Sequence, residues 1–213
     1  MLLVCTGNLC RSALAERLGR AFLDAALGAR SGDVRLVSAG TRAVVGSEMH
    51  PDSALVLQGL GAEAGDFRAR QLAAGIADDA DLVLTMTRRH RSVVLEYAPR
   101  ALTRTFTLRE AADLLRLVGE HVGADGLGFS ERARDLVRQL AAARSRRPGG
   151  PDDDVRDPIG EPIDVHQEVG EVIVAALLPL LDRLVSLHRM GSERHVGSTG
   201  SEPGQGSGAS SSS

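Results

Sequence analysis

Short apolar runs alternate with stretches of helical periodicity along most of this chain. Four of the runs predict strands, at residues 2–4, 34–37, 82–84 and 103–106. Between them, apolar residues recur three or four positions apart, as at Leu14, Leu18 and Phe22, which is the spacing of one helix face. Because strands that alternate with helices form parallel sheets, the pattern predicts an α/β fold.

Three later helices are predicted from capping residues. Thr107 and Glu110 form a capping box at the start of one helix. Ser130 is the expected cap of a second, amphipathic helix, and Asp164 is the expected N-cap of a long last helix. We expect Pro179 to kink that last helix, because proline lacks the amide that an interior position needs.

The chain is predicted to hold one domain and a C-terminal tail. Its 213 residues are enough for one sizeable core. We expect the domain over residues 1–189, with a helical insertion at about 119–151 that ends in the basic, flexible segment 144–150. Residues 190–213 are rich in Gly and Ser and are expected to be disordered.

Composition and charge narrow the possible partners. The 25 basic and 28 acidic side chains give a net charge of −3, which argues against nucleic acid or an anionic membrane as a partner. All 25 basic residues are Arg, so mechanisms that need a catalytic Lys are excluded. Neither the two Cys nor the six His follow a zinc-site spacing, so no metal or cofactor is expected.

The apolar stretches are also informative about location. The N-terminal apolar stretch is too short for a signal peptide, and no run is long enough to span a membrane. We therefore expect a cytoplasmic protein whose thiols stay reduced.

Candidate chemistry lies at the N-terminus, where a strand leads through a polar loop into a helix. The amides at a helix N-terminus and the helix dipole can bind phosphate there. Gly7 permits close backbone approach, and Asn8 tolerates the left-handed conformation of a curled loop. The fork of Arg11 matches two phosphate oxygens. The same positive field favours the thiolate form of Cys5, which makes it a candidate nucleophile.

The chain resembles the low-molecular-weight protein tyrosine phosphatases, whose signature begins C-x-G-N-x-C-R-S near the N-terminus. Other blocks resemble the same family in the same order, at residues 38–41, 68–71, 80–86 and 157–160. The resemblance implies a three-layer α/β/α fold with a four-stranded parallel sheet. It also implies hydrolysis of a phosphorylated protein substrate through a cysteinyl-phosphate, with inorganic phosphate as the product and no cofactor.

The resemblance assigns roles to individual residues. Cys5 would attack phosphorus, while Arg11 and the loop amides would stabilise the equatorial oxygens. Asp157 would protonate the leaving group and then activate water. Ser12 would hydrogen-bond the thiolate, and Asn8 would brace the loop. The substrate-binding residues implied in this way are Thr6, Gly7, Asn8, Leu9, Cys10 and Ser12.

Several departures from the family pattern keep alternatives open. Val44 and Ile159 stand where members that act on phosphotyrosine usually carry aromatic side chains. The related protein-arginine phosphatases carry Thr at the position of Leu9, so phosphotyrosine is the first expectation and phosphoarginine the alternative. An arsenate reductase with an internal cysteine relay would need a further Cys, and none follows Cys10, but one coupled to a small thiol stays open. A non-catalytic phosphate-binding module is the remaining alternative.

Other polar residues are expected to have ordinary roles. Cys10 is expected to pack in the core, although its place in the loop also permits a redox partnership with Cys5. His50 is expected to be a capping or surface residue. His90 and the run 152–154 are expected on solvated faces.

Overall fold

The computed structural model describes residues 1–119 and 127–192. Residues 120–126 of the predicted insertion and 193–213 of the predicted tail lie outside the described residues. The strands are β1 (Leu2–Cys5), β2 (Val37–Gly40), β3 (Val83–Thr85) and β4 (Thr105–Thr107). The helices are α1 (Arg11–Leu27), α2 (Pro51–Gly59), α3 (Ala74–Asp78), α4 (Arg88–Tyr97), α5 (Leu108–Leu117), α6 (Phe129–Ala143) and α7 (Ile163–Ser192).

The four strands form one parallel sheet in the order β2-β1-β3-β4. Successive side chains of a strand point to opposite faces. Leu3 and Phe106 accordingly belong to a core cluster with α1, α5, α6 and α7. Leu2 and Val83 belong to a second cluster with α3 and α4. The predicted α/β/α fold with a four-stranded parallel sheet is therefore confirmed.

Two strands are displaced from their predicted positions. The second strand is Val37–Gly40 rather than residues 34–37, because small side chains are needed where it passes the N-terminal loop. A Cβ atom at Gly40 would lie 2.5 Å from the carbonyl oxygen of Thr6. A search for apolar residues misses such a strand. The fourth strand is Thr105–Thr107, two residues later than its predicted start.

Two predicted helix caps are wrong. Helix α6 begins one residue before Ser130, and the Glu131 carboxylate accepts a 3.1 Å hydrogen bond from the amide of Gly128. Asp164 lies inside the first turn of α7, where its charge complements the helix dipole. Helix α7 continues through Pro179, supported by buried leucines on both sides of it. No helix within residues 1–119 and 127–192 is long and apolar enough to cross a membrane.

The basic segment predicted to be flexible is instead attached to the core. The guanidinium of Arg144 lies 4.0 Å from the ring centroid of Phe106. Arg147 donates a 2.7 Å hydrogen bond to Asp113 and also pairs with Asp153. Sequence reading missed this attachment because Gly, Pro and Arg are typical of loops, whereas these contacts depend on residues distant in the chain.

Candidate active site

The predicted phosphate-binding loop connects the carboxyl end of β1 to the start of α1. Strand β1 is central in the sheet, and the chain passes from β2 on one side of it to β3 on the other. Ligands of open parallel sheets bind at this kind of position, at the carboxyl ends of the strands where the strand order reverses. The structure thus confirms the predicted strand, loop and helix in succession.

The carbonyl groups of the loop are held by the segment that follows β2. The carbonyls of Cys5, Thr6, Gly7 and Leu9 accept hydrogen bonds of 2.9–3.1 Å from the amides of Thr41, Arg42, Val44 and His50 respectively. Within the described part of the chain, the amides of residues 7–10 donate no hydrogen bond to another protein group. These amides and the N-terminus of α1 therefore remain available to an anion.

Asn8 braces the loop from inside. It is fully buried and adopts a φ of 56°, a left-handed conformation that Asn tolerates better than most residues. Its side-chain oxygen accepts a 2.8 Å hydrogen bond from the amide of Arg70. Its nitrogen donates to the hydroxyls of Ser12 at 2.9 Å and Ser38 at 2.8 Å. The Asn8 side chain thus makes three hydrogen bonds, each to a neighbouring residue of the fold.

This network reaches the thiol of Cys5. The Cys5 Sγ and Ser12 Oγ atoms are 2.9 Å apart. The amide of Arg70 fixes the orientation of the Asn8 side chain, so the Ser12 hydroxyl accepts from Asn8. The proton of Ser12 is then free to donate to the sulfur. Sequence reasoning anticipated the contact of Ser12 with Cys5, but not the fixed side chain of Asn8 that orients it.

Arg11 and Asp157 meet across the site although 146 residues separate them. Their guanidinium and carboxylate groups are 2.5 Å apart, and Arg11 also donates a 2.9 Å hydrogen bond to the carbonyl of Val155. The Arg11 Nε atom has no partner among the described residues. The side chain of Asp157 is 41% exposed, whereas that of Arg11 is 3% exposed. Arg11 is thus fixed in place while its Nε–H group makes no hydrogen bond to a described residue.

His90 is a site residue that sequence reasoning placed wrongly on a solvated face. It is 6% exposed, and its ring nitrogens lie 2.9 Å from the hydroxyls of Thr6 and Thr87. Burial, followed by the positive charge of Arg11, lowers the pKa of His90 to about 4. Val94, four residues later, is also buried, so the two residues mark the inner face of α4. The four-residue spacing between His90 and Val94 could have indicated from the sequence that His90 is buried, but the neighbouring Arg residues obscured it.

The acidic run 152–154 is also less solvated than predicted. Asp153 is 3% exposed and pairs with Arg147. Asp154 accepts a 2.7 Å hydrogen bond from the amide of Arg88 and a 3.2 Å bond from its guanidinium. These pairs attach the segment that precedes Asp157 to α4 and to the end of α6.

The rim of the loop is apolar. Val44 and Ile159, which occupy the positions of the missing aromatic residues, are each 51% exposed. The amide of Val44 bonds the carbonyl of Gly7, and the side chain of Leu9 leans toward Gly7. The rim therefore offers aliphatic contacts to a bound group, without an aromatic side chain at these positions.

The second cysteine of the loop lies below its surface. Cys10 is 5% exposed, and burial raises the pKa of its thiol to about 11. Both cysteines are free. His50 occupies the N-cap position of α2, as predicted, but its side chain makes no capping bond and its ring instead stacks on His166 at a centroid distance of 4.8 Å.

Comparison with known proteins adds independent information. A sequence model of the family described as "Low molecular weight phosphotyrosine protein phosphatase" matches residues 1–122. The protein named "Probable low molecular weight protein-tyrosine-phosphatase AmsI" from Erwinia amylovora is 37% identical over 99 residues. That alignment covers 46% of this chain and 63% of the relative, so the match spans less than two thirds of the Erwinia protein.

Two further relatives match over most of the chain. A "Protein-arginine-phosphatase" from Geobacillus stearothermophilus is 31% identical over 184 residues, which are 86% of this chain and 92% of the relative. The crystal structure of a low molecular weight protein tyrosine phosphatase from T. tengcongensis superposes with a TM-score of 0.59 and 28% identity. The superposition covers 87% of this chain and 96% of the chain in that structure.

Proposed function

Because this chain belongs to the low molecular weight phosphotyrosine protein phosphatase family, we propose that it hydrolyses phosphotyrosine in proteins through a cysteinyl-phosphate. The observation that carries the proposal is the loop itself. Its amides are free, its carbonyls are held away, and the Cys5 thiol receives a hydrogen bond from Ser12. A nucleophile beside an anion cradle suits phosphoryl transfer better than passive binding.

In the first step of the proposed reaction, Cys5 Sγ forms a bond to phosphorus as the bond from phosphorus to the tyrosine oxygen breaks. Asp157 gives its proton to the departing oxygen. In the second step Asp157 takes a proton from water, the water oxygen attacks phosphorus, and the thiolate leaves. Inorganic phosphate is released and the enzyme returns to its starting state. No metal takes part in either step.

Arg11 is proposed to stabilise the equatorial oxygens of the transferred group. Its free Nε atom is available for one oxygen. Its bonds to Val155 and Asp157 fix the guanidinium plane beside the loop. A phosphate that competes for Arg11 would also release the side chain of Asp157 toward the leaving group, where it takes up the proton from solvent that it later donates. Binding of substrate and delivery of the acid are thus connected through one side chain.

The apolar rim supports an aryl substrate. Leu9, Val44 and Ile159 present aliphatic surface to a leaving group, and a tyrosine ring has more apolar surface to bury there than a guanidinium. Phosphoarginine remains the second candidate, because the Geobacillus protein-arginine-phosphatase matches this chain over 92% of its own length.

Substitution of Cys5 tests the covalent mechanism. Cys5→Ser is expected to abolish turnover of p-nitrophenyl phosphate while vanadate still binds, since the amide cradle persists but the alcohol stays neutral. Asp157→Asn is expected to lose about 10²–10⁴ in rate on phosphotyrosine peptide, the usual range for general acid catalysis. The loss should be smaller on an activated aryl ester. Full activity in Cys5→Ser would refute the covalent mechanism, whereas phosphate binding without any turnover by wild type would favour a non-catalytic module.

The choice of substrate is tested by exchanging one rim residue. Wild type is expected to favour a phosphotyrosine peptide over a phosphoarginine peptide in kcat/KM. Leu9→Thr should shift the ratio toward phosphoarginine by removing apolar bulk and adding a hydroxyl, while Val44→Thr serves as the control on the opposite rim. Preference of wild type for phosphoarginine would favour the alternative. Cys5-dependent reduction of arsenate to arsenite, with an added small thiol as the reductant, would instead indicate redox chemistry.

The remaining parts of the proposal concern location and organisation. We propose that the protein acts in the cytoplasm on phosphorylated proteins, without nucleic acid or membrane partners, consistent with its net charge of −3. We also propose that the predicted domain of residues 1–189 is the catalytic domain and that a tail lies outside it; because α7 continues to Ser192, the tail starts after that residue rather than at residue 190. The predicted helix of the insertion is α6, which contributes Leu140 to the main core.

A further inference from the structure

Three potential metal ligands converge next to the phosphate-binding loop. Cys10 belongs to the loop, His50 directly precedes α2, and His166 lies in the first turn of α7. One ligand atom from each residue lies within 4.8 Å of the other two. None of the three has a chemical role in the proposed hydrolysis, and their positions in the chain form no recognisable metal motif.

The two imidazoles have nitrogen atoms without partners. His50 Nδ1 and His166 Nε2 are buried and make no hydrogen bond within the described residues. The side chain of His166 is 0% exposed. A buried ring nitrogen that makes no hydrogen bond is costly unless a ligand satisfies it. Burial, and then the neighbouring His50, lowers the pKa of His166, against the opposing effects of Asp52 and of the Pro158 backbone.

Ser53 connects two of the three ligands. Its hydroxyl lies 2.9 Å from His166 Nδ1, and it is also close enough to Cys10 to act against the raised pKa of that thiol. Metal-bound histidines usually have their second nitrogen held by such a partner, which fixes the ring and directs the other nitrogen to the ion. Ser53 thus leaves Nε2 as the nitrogen of His166 that faces a ligand.

We propose that Cys10, His50 and His166 bind a divalent transition-metal ion, with Zn²⁺ best suited to this donor set and Asp52 as the fourth ligand. The Asp52 Oδ2 atom lies 3.9 Å from His50 Nδ1 and 4.0 Å from His166 Nε2. One thiolate, two imidazoles and one carboxylate are all common ligands of tetrahedral zinc.

The required rearrangement is small. Metal–ligand bonds of about 2.0–2.3 Å place neighbouring donors of a tetrahedral zinc site about 3.3–3.6 Å apart. The donor atoms of Cys10, His50 and His166, now within 4.8 Å, must therefore close by about 1.5 Å at most. Side-chain rotation supplies that movement, and it would separate the stacked rings of His50 and His166. The Cys10 thiol releases its proton to solvent as the metal–sulfur bond forms.

The proposed ion would bind outside the catalytic centre but in contact with the catalytic loop. It would join the loop to α2 and to α7, and it would occupy the sulfur of Cys10. Cys10 would then be unable to form a disulfide with an oxidised Cys5. Metal loading is therefore expected to protect Cys10 from alkylation by iodoacetamide, as followed by mass spectrometry of the digested protein.

Cobalt is the probe for the binding test. The full chain is stripped with chelator, kept reduced with a phosphine, and titrated with Co²⁺ in buffer free of phosphate and thiols. We expect one Co²⁺ per chain, a thiolate-to-cobalt charge-transfer band, and loss of that band when Zn²⁺ is added. His50→Gln and His166→Gln should each weaken binding at least tenfold, and Cys10→Ser should lose the charge-transfer band.

Matched controls separate this site from the active-site thiolate. Cys5→Ser should keep both the stoichiometry and the band, and His188→Gln, a change to another buried histidine of α7, should bind like wild type. Circular dichroism and Tm report whether each variant folds. If His166→Gln does not fold, His50→Gln carries the test, because that side chain is 26% exposed. Absence of the band, its loss in Cys5→Ser, or equal binding by all variants would overturn the proposal.

Discussion

Removal of the buried imidazole of His90 is expected to change how the stability of this protein depends on pH. Burial and the charge of Arg11 lower the pKa of His90 to about 4, whereas an exposed histidine titrates near 6.5. Between these values the unfolded chain binds a proton that the folded chain rejects. The stability linked to a neutral His90 is therefore fully present above about pH 6.5, and it decreases as the pH falls through this window.

The size of the effect follows from the shift. Because the proton binds the unfolded chain more tightly than the folded chain, the free energy of unfolding falls by about 2 kcal/mol as the pH is lowered from about 7 to about 5. The cost grows to about 3 kcal/mol near pH 4. His90→Gln has no ring to protonate but retains a donor and an acceptor for Thr6 or Thr87. The variant is expected to be less stable than wild type at neutral pH and to lose less stability on acidification.

Urea unfolding of both proteins at several pH values measures the difference directly. Contributions from other groups, including His166, are present in both proteins and cancel when the two curves are subtracted. His90→Asn, which also lacks a titrating ring, should give the same pH dependence even if its stability at neutral pH differs. The free energy of unfolding of wild type is compared with that of each variant. If this difference stays constant from pH 7 to pH 4 for both variants, the assignment of a neutral, buried His90 is refuted.

Three other changes test separate parts of the structure. Asn8→Ala should destabilise the fold by about 2–4 kcal/mol in urea unfolding, since it removes the acceptor of the Arg70 amide and puts Ala in a left-handed conformation. Arg147→Met should cost about 3–5 kcal/mol by leaving Asp153 buried and unpaired, and an unchanged Tm would contradict that. Deletion of residues 193–213 should leave Tm and kcat/KM unchanged, because their composition offers no apolar face.

Local features of the fold were predictable from the sequence. The succession of apolar strand, polar loop and amphipathic helix around Cys5 lies within one short segment, and helix capping at Thr107 depends only on Glu110 three residues later. Asp157 could be proposed only through resemblance, because no local pattern connects it with Arg11 across 146 residues. Interactions of that kind become visible once the chain is folded.

The histidines show why single residues were misplaced. His90 stands among Arg residues, and the average polarity of its neighbours suggested a solvated face. Helical geometry decides burial one residue at a time, and His90 shares the inner face of α4 with Val94. The ligands of the proposed metal site are even harder to predict from the sequence, because Cys10, His50 and His166 belong to three different parts of the fold.

The acidic segment before Asp157 shows how a chain whose basic residues are all Arg positions a carboxylate. Residues 152–157 contain four Asp, whose charges would repel one another if the segment stood alone. Arg147, Arg88 and Arg11 pair with Asp153, Asp154 and Asp157 respectively. Each guanidinium offers several donors in one plane, so it can fix a carboxylate and a backbone group together, as Arg11 does with Val155. A run that looks like solvated charge is therefore the means by which the proposed acid is aligned with the phosphate loop.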